Sequence, residues 1–331
     1  MRKCTHTLAI MLVSLVAALF LGEIGLRLLG HPPRRLIKNT HFTSHWAQLD
    51  DALGWMNRPG TFESIEPGHV PMHFTEDHRR VSGNETELAG RKASVVLVGC
   101  SYTQGYGLPD EQTMAALLNS RFPDITFLNF GTAGYSTYQS LLLLERILND
   151  SRYAPSMVIY GYIPHHNERN YATYSWAKSL TDSDGRYLVA PHARLKDGAL
   201  VFHGMTIIDP WPLETRSAFV TLLHDAWLQY GRYAAFGTDE MDAITAQLIV
   251  MLRDACAKKG IRFAVLALHE PATPAVRKLA ESGQITFADC QKEIYGQPEY
   301  RIGGTGHPNA RVQAEWADCI ARHIDFAALI R

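Results

Sequence analysis

The sequence predicts an α/β fold, a parallel sheet covered by helices on both faces, with a membrane-length helix ahead of it. Three observations carry this. From Ala93 onward, short aliphatic runs alternate with helix-period patterns, the signature of a parallel sheet. Val95-Val96-Leu97-Val98 lacks any polar alternation, so that strand is buried on both faces. Behind Arg2 and Lys3 stands an uncharged run from Leu8 to Gly22.

Glu23 and Arg27 punctuate that run, which continues to Leu29. With Arg27 snorkelling, it offers roughly 20 residues, enough to cross a bilayer. A cleaved signal peptide is the alternative. No small-x-small site closes the apolar core, because Ala17-Ala18 are followed by Leu19-Phe20-Leu21, and no cysteine follows to make a lipoprotein. The reading is an uncleaved signal anchor over 1–30. Arg27, Arg34, Arg35 and Lys38 outnumber Arg2 and Lys3. Taken alone, the positive-inside rule would put the following domain in the cytoplasm, but it is weak for one span before a large domain.

Residues 31–92 read as a juxtamembrane linker, stiffened by Pro32-Pro33, and an N-terminal extension too poor in apolar residues to fold alone. Leu53-Gly54-Trp55 with Arg58-Pro59-Gly60 suggests a turn, and 70–74 an edge strand. The main domain runs over 93–331. Strands are expected at 94–99, 125–129, 157–162, 261–268 and 285–288. Helices are expected at 112–122, 135–150, 239–259, 274–282 and 310–328. Leu141, Leu144 and Leu148 share one helical face, as do Ile244, Leu248, Met251 and Ala255. Between 164 and 216 the alternation stops. So long a stretch reads as an insertion over the strand ends.

The chain has 331 residues, 46% hydrophobic and 20% charged, with a formal net charge of -1. That suits a sizeable core and supplies no field for nucleic acid, and no basic stripe with interleaved aromatics appears. The five cysteines form no C-x-x-C pair, so no zinc or dithiol site is suggested. One disulfide among Cys256, Cys290 and Cys319 is compatible with an oxidising compartment. His165, His166 and His269 do not read as a metal site, since adjacent histidines chelate one ion poorly. No metal or cofactor is expected.

The chemistry gathers at strand ends. Gly99-Cys100-Ser101 follows the first strand, with Gly105 and Gly107 close behind. Asn129-Phe130-Gly131-Thr132-Ala133-Gly134 follows the second, and His165-His166-Asn167-Glu168-Arg169 the third. Gly303-Gly304-Thr305-Gly306-His307-Pro308-Asn309 precedes the last helix. A parallel sheet brings these ends together. They supply a nucleophile, a base and preorganised donors, the parts of acyl transfer. Read singly, Ser101 can be a helix cap and His307 an ordinary loop histidine.

In order and spacing these blocks resemble the SGNH/GDSL hydrolases over most of 93–328. The resemblance implies a flavodoxin-like three-layer α/β/α fold, with Ser101 as nucleophile and His307 as general base. It implies an oxyanion hole from the Ser101 and Gly134 N–H groups, with His165 where the family has asparagine. The chain departs from the pattern in three places. Cys100 replaces the aspartate of Gly-Asp-Ser, His165-His166 replaces Asn-Asp, and Gly304-Thr305 stands where an aspartate should precede His307. Asp289, Glu168 or a backbone carbonyl are the candidate substitutes for that acid.

The span and the Leu53-Gly54-Trp55 lead-in also resemble membrane-anchored bacterial members. They imply a single-pass inner-membrane protein with an extracytoplasmic domain acting on an acyl, chiefly O-acetyl, ester of an envelope glycan or related molecule. Hydrolysis and acyl transfer to a sugar hydroxyl use the same residues and stay open here. The alternative from another class is a weakened relative that binds an acylated glycan or partner without turnover.

Overall fold

The computed structural model describes residues 2–34, 46–64, 68–182, 184–232, 237–303 and 305–330. The first element is the long helix α1 (Arg2–Leu28). Two short antiparallel pairs follow, β1 (Ala47–Asp50) with β2 (Gly54–Asn57) and β3 (Gly60–Glu63) with β4 (Pro71–Phe74). The lead-in read as a turn does turn, at 51–53 and at Pro59, and its Gly54–Asn57 segment between them is strand. Then come α2 (Glu85–Ala89), β5 (Ala93–Gly99), α3 (Ser101–Gln104), α4 (Met114–Arg121) and β6 (Ile125–Asn129). Next are α5 (Thr137–Asn149), β7 (Met157–Tyr162), α6 (His166–Tyr171) and α7 (Tyr174–Ser179).

The stretch read as irregular holds β8 (Tyr187–Val189), β9 (His192–Lys196), β10 (Ala199–His203) and β11 (Thr206–Ile208). After it stand α8 (Ala218–Ala226), which no sequence pattern announced, and α9 (Thr238–Ala257). The chain closes with β12 (Arg262–Ala267), α10 (Pro274–Glu281), β13 (Thr286–Asp289) and α11 (Ala310–His323).

Two compact units result. The smaller takes Met1–Thr43, Thr173–Val189 and Thr206–Ala234. It contains α1, α7, the β8–β11 pair and α8. The larger takes Ser44–Ala172, Ala190–Met205 and Ala235–Arg331.

In the larger unit, five parallel strands run in the order β6-β5-β7-β12-β13. In chain order that is 2-1-3-4-5, the flavodoxin-like doubly wound arrangement. Side chains alternate across each strand. Val95, Leu97 and Phe127 point into a cluster with Met114, Trp316 and Ile320 of α4 and α11. The opposite face carries α5 and α9, whose Leu144, Ile147, Leu248 and Leu252 are buried. Cys290, just past β13, is disulfide-bonded to Cys319 of α11, and Cys100 and Cys256 are buried free thiols.

Candidate active site

Ser101 is the first residue of α3, directly past the carboxyl end of β5. The strand after β5 in sequence lies on one side of it and β7 on the other. The turn therefore opens at the topological switch point, where sheets of this kind bind ligands.

Glycines let that turn sit against the sheet. A Cβ on Gly161 would stand 2.1 Å from Thr103 Oγ1, one on Gly99 2.3 Å from the same atom, and one on Gly131 2.4 Å from Gln104 N. Asn129 then ties the second block to α3. Its Nδ2 donates to the carbonyls of Thr103 (3.1 Å) and Gln104 (3.3 Å), and its Oδ1 accepts from Gly131 N (3.0 Å). The N-terminal extension supports the same turn. Asn57 Oδ1 accepts from Gln104 Nε2 (2.8 Å), and Asn57 Nδ2 donates to Gly131 O (3.2 Å). Arg80, fully buried, donates to Leu108 O (2.6 Å) and pairs with Asp110 at 2.7 Å, fixing the chain after α3.

His307 is held by a narrow loop before α11. Ile302 N donates to His307 O (2.7 Å), and His307 N donates to Thr305 Oγ1 (3.1 Å). Asn309 caps α11 by accepting from Val312 N (3.3 Å). Gln313, in the next turn, accepts from Met114 N (2.8 Å) and donates to Tyr102 O (2.9 Å). That side chain links the histidine's helix to the serine's turn. The outcome is a separation of 3.0 Å between His307 Nε2 and Ser101 Oγ. Hydrogen-bond reach of this kind is what a nucleophile and its base need.

Aromatic rings wall the pair. Tyr106 and Tyr102 lie 4.9 and 5.8 Å from the His307 ring, centroid to centroid. Burial, with a contribution from Cys100, pushes the Tyr102 phenol up to about 12. The Tyr102 hydroxyl donates to Gly306 O (3.4 Å).

A second histidine stands close by. His269, past the end of β12, is buried, meets Tyr102 edge-on at 5.2 Å and faces Arg301 Nη2 at 3.4 Å. Burial first, then the Arg301 charge, holds its pKa below the ordinary histidine value.

The other expected residues are placed as follows. Gly134 lies in the loop after β6 with φ +80, and Trp55 Nε1 pins that loop by donating to Ala133 O (2.9 Å). His165 is exposed immediately before α6. Its neighbour His166 is fully buried, with Nδ1 2.5 Å from the Tyr160 hydroxyl, and burial drives its pKa well down. His166 is thus a neutral structural residue. Asp289 ends β13 at the sheet's edge, three strand spacings or roughly 14 Å from β5. It is exposed and accepts from Gln291 N (3.4 Å), so the sheet does not bring it to Ser101 and His307. Glu168 is exposed on α6, and Gly304 lies outside the described residues.

Tyr102, Gln313 and Arg301 escaped the sequence reading, as did the packing roles of Gly131 and Gly161, and His269 was weighed there only as a metal ligand. Gly161 carried a signal. A glycine inside a buried strand marks a close approach of another backbone.

Searched by sequence, the chain matches no protein-family model and no curated protein. Among solved structures, it is similar to TesA at 13% identity and a TM-score of 0.42, over 70% of this chain and 97% of that one. It is similar to a lipolytic G-D-S-L family protein from Veillonella parvula at 12% identity and 0.39, over 70% and 97%. It is also similar to a catalytic mutant of Axe2, an acetylxylan esterase from Geobacillus stearothermophilus, at 15% and 0.37, over 73% and 98%.

Proposed function

We propose that the chain is a membrane-anchored serine esterase of the SGNH type, acting on an acyl ester of an envelope glycan or related molecule. The observation that carries this reading is the 3.0 Å approach of His307 Nε2 to Ser101 Oγ. It occurs at the switch point of a doubly wound sheet, on a turn that three glycines seat against it.

In this reading His307 takes the Ser101 proton as Oγ attacks the ester carbonyl carbon. The oxyanion of the tetrahedral intermediate is met by the N–H groups of Ser101 and Gly134, with His165 at the rim. Ser101 opens α3, so its N–H has no partner within the helix. His307 returns the proton to the departing alkoxide, leaving an acyl-serine. A water molecule, activated by the same imidazole, releases the acid and frees Ser101. A sugar hydroxyl in place of that water makes the reaction a transfer. His307 does not depend on Asp289 in this scheme, and the loop hydrogen bonds and flanking tyrosines orient its ring.

Two features support an extracytoplasmic setting. One is the apolar helix reaching from His6 to Leu28. The other is the Cys290–Cys319 disulfide, of a kind that persists in oxidising compartments.

The test is labelling of the full chain by a fluorophosphonate probe, with release of acetate from model acetyl esters. Wild type should label and turn over. Ser101→Ala should abolish labelling, and His307→Ala should lower turnover by about 10³-fold or more. An unlabelled, inactive wild type that retains affinity for acetylated glycans would replace the esterase with a binding protein.

A further inference from the structure

Within the smaller unit, the carboxylate that interrupts the apolar helix has a specific use. Glu23 Oε1 accepts from Ala218 N (2.8 Å), and Oε2 accepts from Phe219 N (3.0 Å) and Ser217 Oγ (2.9 Å). It therefore caps the start of α8. Arg27 completes the joint. Its Nε donates to Glu23 (2.7 Å) and its Nη2 to Arg216 O (2.8 Å). Glu23 precedes the end of α1 at Leu28 by five residues, about 7.5 Å along a helix axis. The beginning of α8 thus stands level with the last turns of the apolar helix, beside them and not beyond them.

The two faces of α8 differ. One is fixed by a polar network. Buried His224 Nδ1 meets Glu214 Oε2 at 2.8 Å, and Arg34 pairs with Glu214 (2.6 Å) and Asp225 (2.8 Å). The Arg34 guanidinium also lies 3.8 Å over the Tyr187 ring. Arg34 follows α1 by a few residues, so this network sets the height of α8 against the helix exit. The other face is apolar and open. Phe219, Leu222, Leu223 and Trp227 are 37–46% exposed, Tyr230 is 75% exposed, and Trp211 beside them is 38% exposed. Soluble surfaces seldom gather so many large apolar side chains. Tryptophan and tyrosine beside large aliphatic side chains are the composition of a bilayer interface.

We propose that the open face of α8, with Trp211, Trp227 and Tyr230, lies in the headgroup–acyl boundary of the bilayer that α1 crosses. It gives the smaller unit a second, monotopic contact with lipid. The occupant is lipid because the start of α8 is hydrogen-bonded through Glu23 to the last turns of the apolar helix, which puts the exposed side chains of α8 on an element joined to the span. The inference rests on the anchor reading given above.

The experiment uses the full chain in vesicles of phosphatidylethanolamine and phosphatidylglycerol that contain brominated phospholipids. α1 has no tryptophan, Trp46, Trp55 and Trp316 are buried, and Trp176 on α7 is half-buried, so the difference between wild type and the W211F/W227F variant isolates the quenching of Trp211 and Trp227. Bromines near the acyl carbonyls should quench strongly and those near the chain ends weakly. The W211F/W227F double variant should lose most of the quenching. L222D/L223D should lose it too, while keeping full turnover of a soluble acetyl ester. A carbonate wash separates the two readings. Protein that stays in the membrane but is not quenched overturns the interfacial contact and leaves the anchor standing. Protein that washes off overturns both. Unquenched tryptophans together with a crosslinked dimer through L222C would mean that a second copy covers the face, which also overturns the proposal.

Discussion

At the scale of single residues, the site depends on atoms that are missing. Thr103 Oγ1 occupies the space that a side chain on Gly99 or Gly161 would need. Gly161→Ala adds a Cβ at 2.1 Å from that oxygen, and the serine's turn must move to admit it. Overpacking of this kind costs about 1–3 kcal/mol. A displacement of about 1 Å in a reacting group costs on the order of 10²-fold in rate. Gly161→Ala should therefore lower kcat/KM toward a model acetyl ester by about 10²-fold while the protein stays folded. Thr103→Ala in the same chain removes the clash and should restore much of the rate. Steady-state kinetics of the single and double variants check this, and an unimpaired single variant would dismiss the cradle. Ser101 and His307 were singled out in the sequence through the order of the blocks and their resemblance to the SGNH/GDSL hydrolases, and the structure brings the two within 3.0 Å. Tyr102, His269 and Gln313 were not, because a lone aromatic, histidine or glutamine has no local pattern. Only the fold tells which neighbours these residues meet. The acid expected near His307 illustrates the same limit. Asp289 ends a strand, as a catalytic residue often does, but strand order puts it at the far edge of the sheet.

At the scale of elements, the five sheet strands were legible because buried parallel strands are continuous apolar runs. Their order needed the structure. The short pairs over 187–208 were missed, although one signal was present. Asp197 and Gly198 both have positive φ and join β9 to β10 as a two-residue hairpin turn, which the Asp-Gly dipeptide favours. Helix α8 has an apolar face turned outward, so no core-facing stripe marked it. The last elements carry a prediction. The Cys290–Cys319 bond joins the end of β13 to α11, the helix that follows His307, across a sequence separation of 29 residues. Closing a loop of that length removes unfolded-state entropy equivalent to roughly 3–4 kcal/mol. Replacing both cysteines by serine should lower stability by about that amount. It should leave low-temperature activity nearly intact, since Gln313 and the loop hydrogen bonds still hold His307. Urea unfolding with and without reductant measures it. A wild type whose midpoint does not respond to reductant would contradict the bond's role.

At the scale of the whole molecule, charge counts and charge roles part company. Arg27 and Arg34 are among the positive residues that argued for a cytoplasmic domain, yet both are spoken for. Arg27 is paired with Glu23, and Arg34 with Glu214 and Asp225. The positive-inside rule tallies Lys and Arg and is not a net-charge rule, so these pairs leave the count as it stands. Protonation also sets the limits of stability for the larger unit. Burial lowers the pKa of His166 and of His269 from the ordinary 6.5. As pH falls through about 6.5, the unfolded chain takes up protons that the folded chain refuses, so stability falls with pH on that side. On the alkaline side, burial raises Tyr102 and Tyr162 from 10.0 to about 12. Between those values the unfolded chain loses protons that the folded chain keeps, and stability falls as pH rises, by about 2–3 kcal/mol for each phenol at most. Thermal midpoints measured from about pH 5 to about pH 11 should trace a dome with its top near neutrality. Tyr162→Phe keeps the ring and removes one ionising hydroxyl, so it should make the alkaline limb less steep without touching the acid one. His269→Gln should make the acid limb less steep, leaving the His166 share, without touching the alkaline one. A wild-type midpoint that stays level on both sides would mean that these buried groups exchange protons as freely in the folded chain as in water.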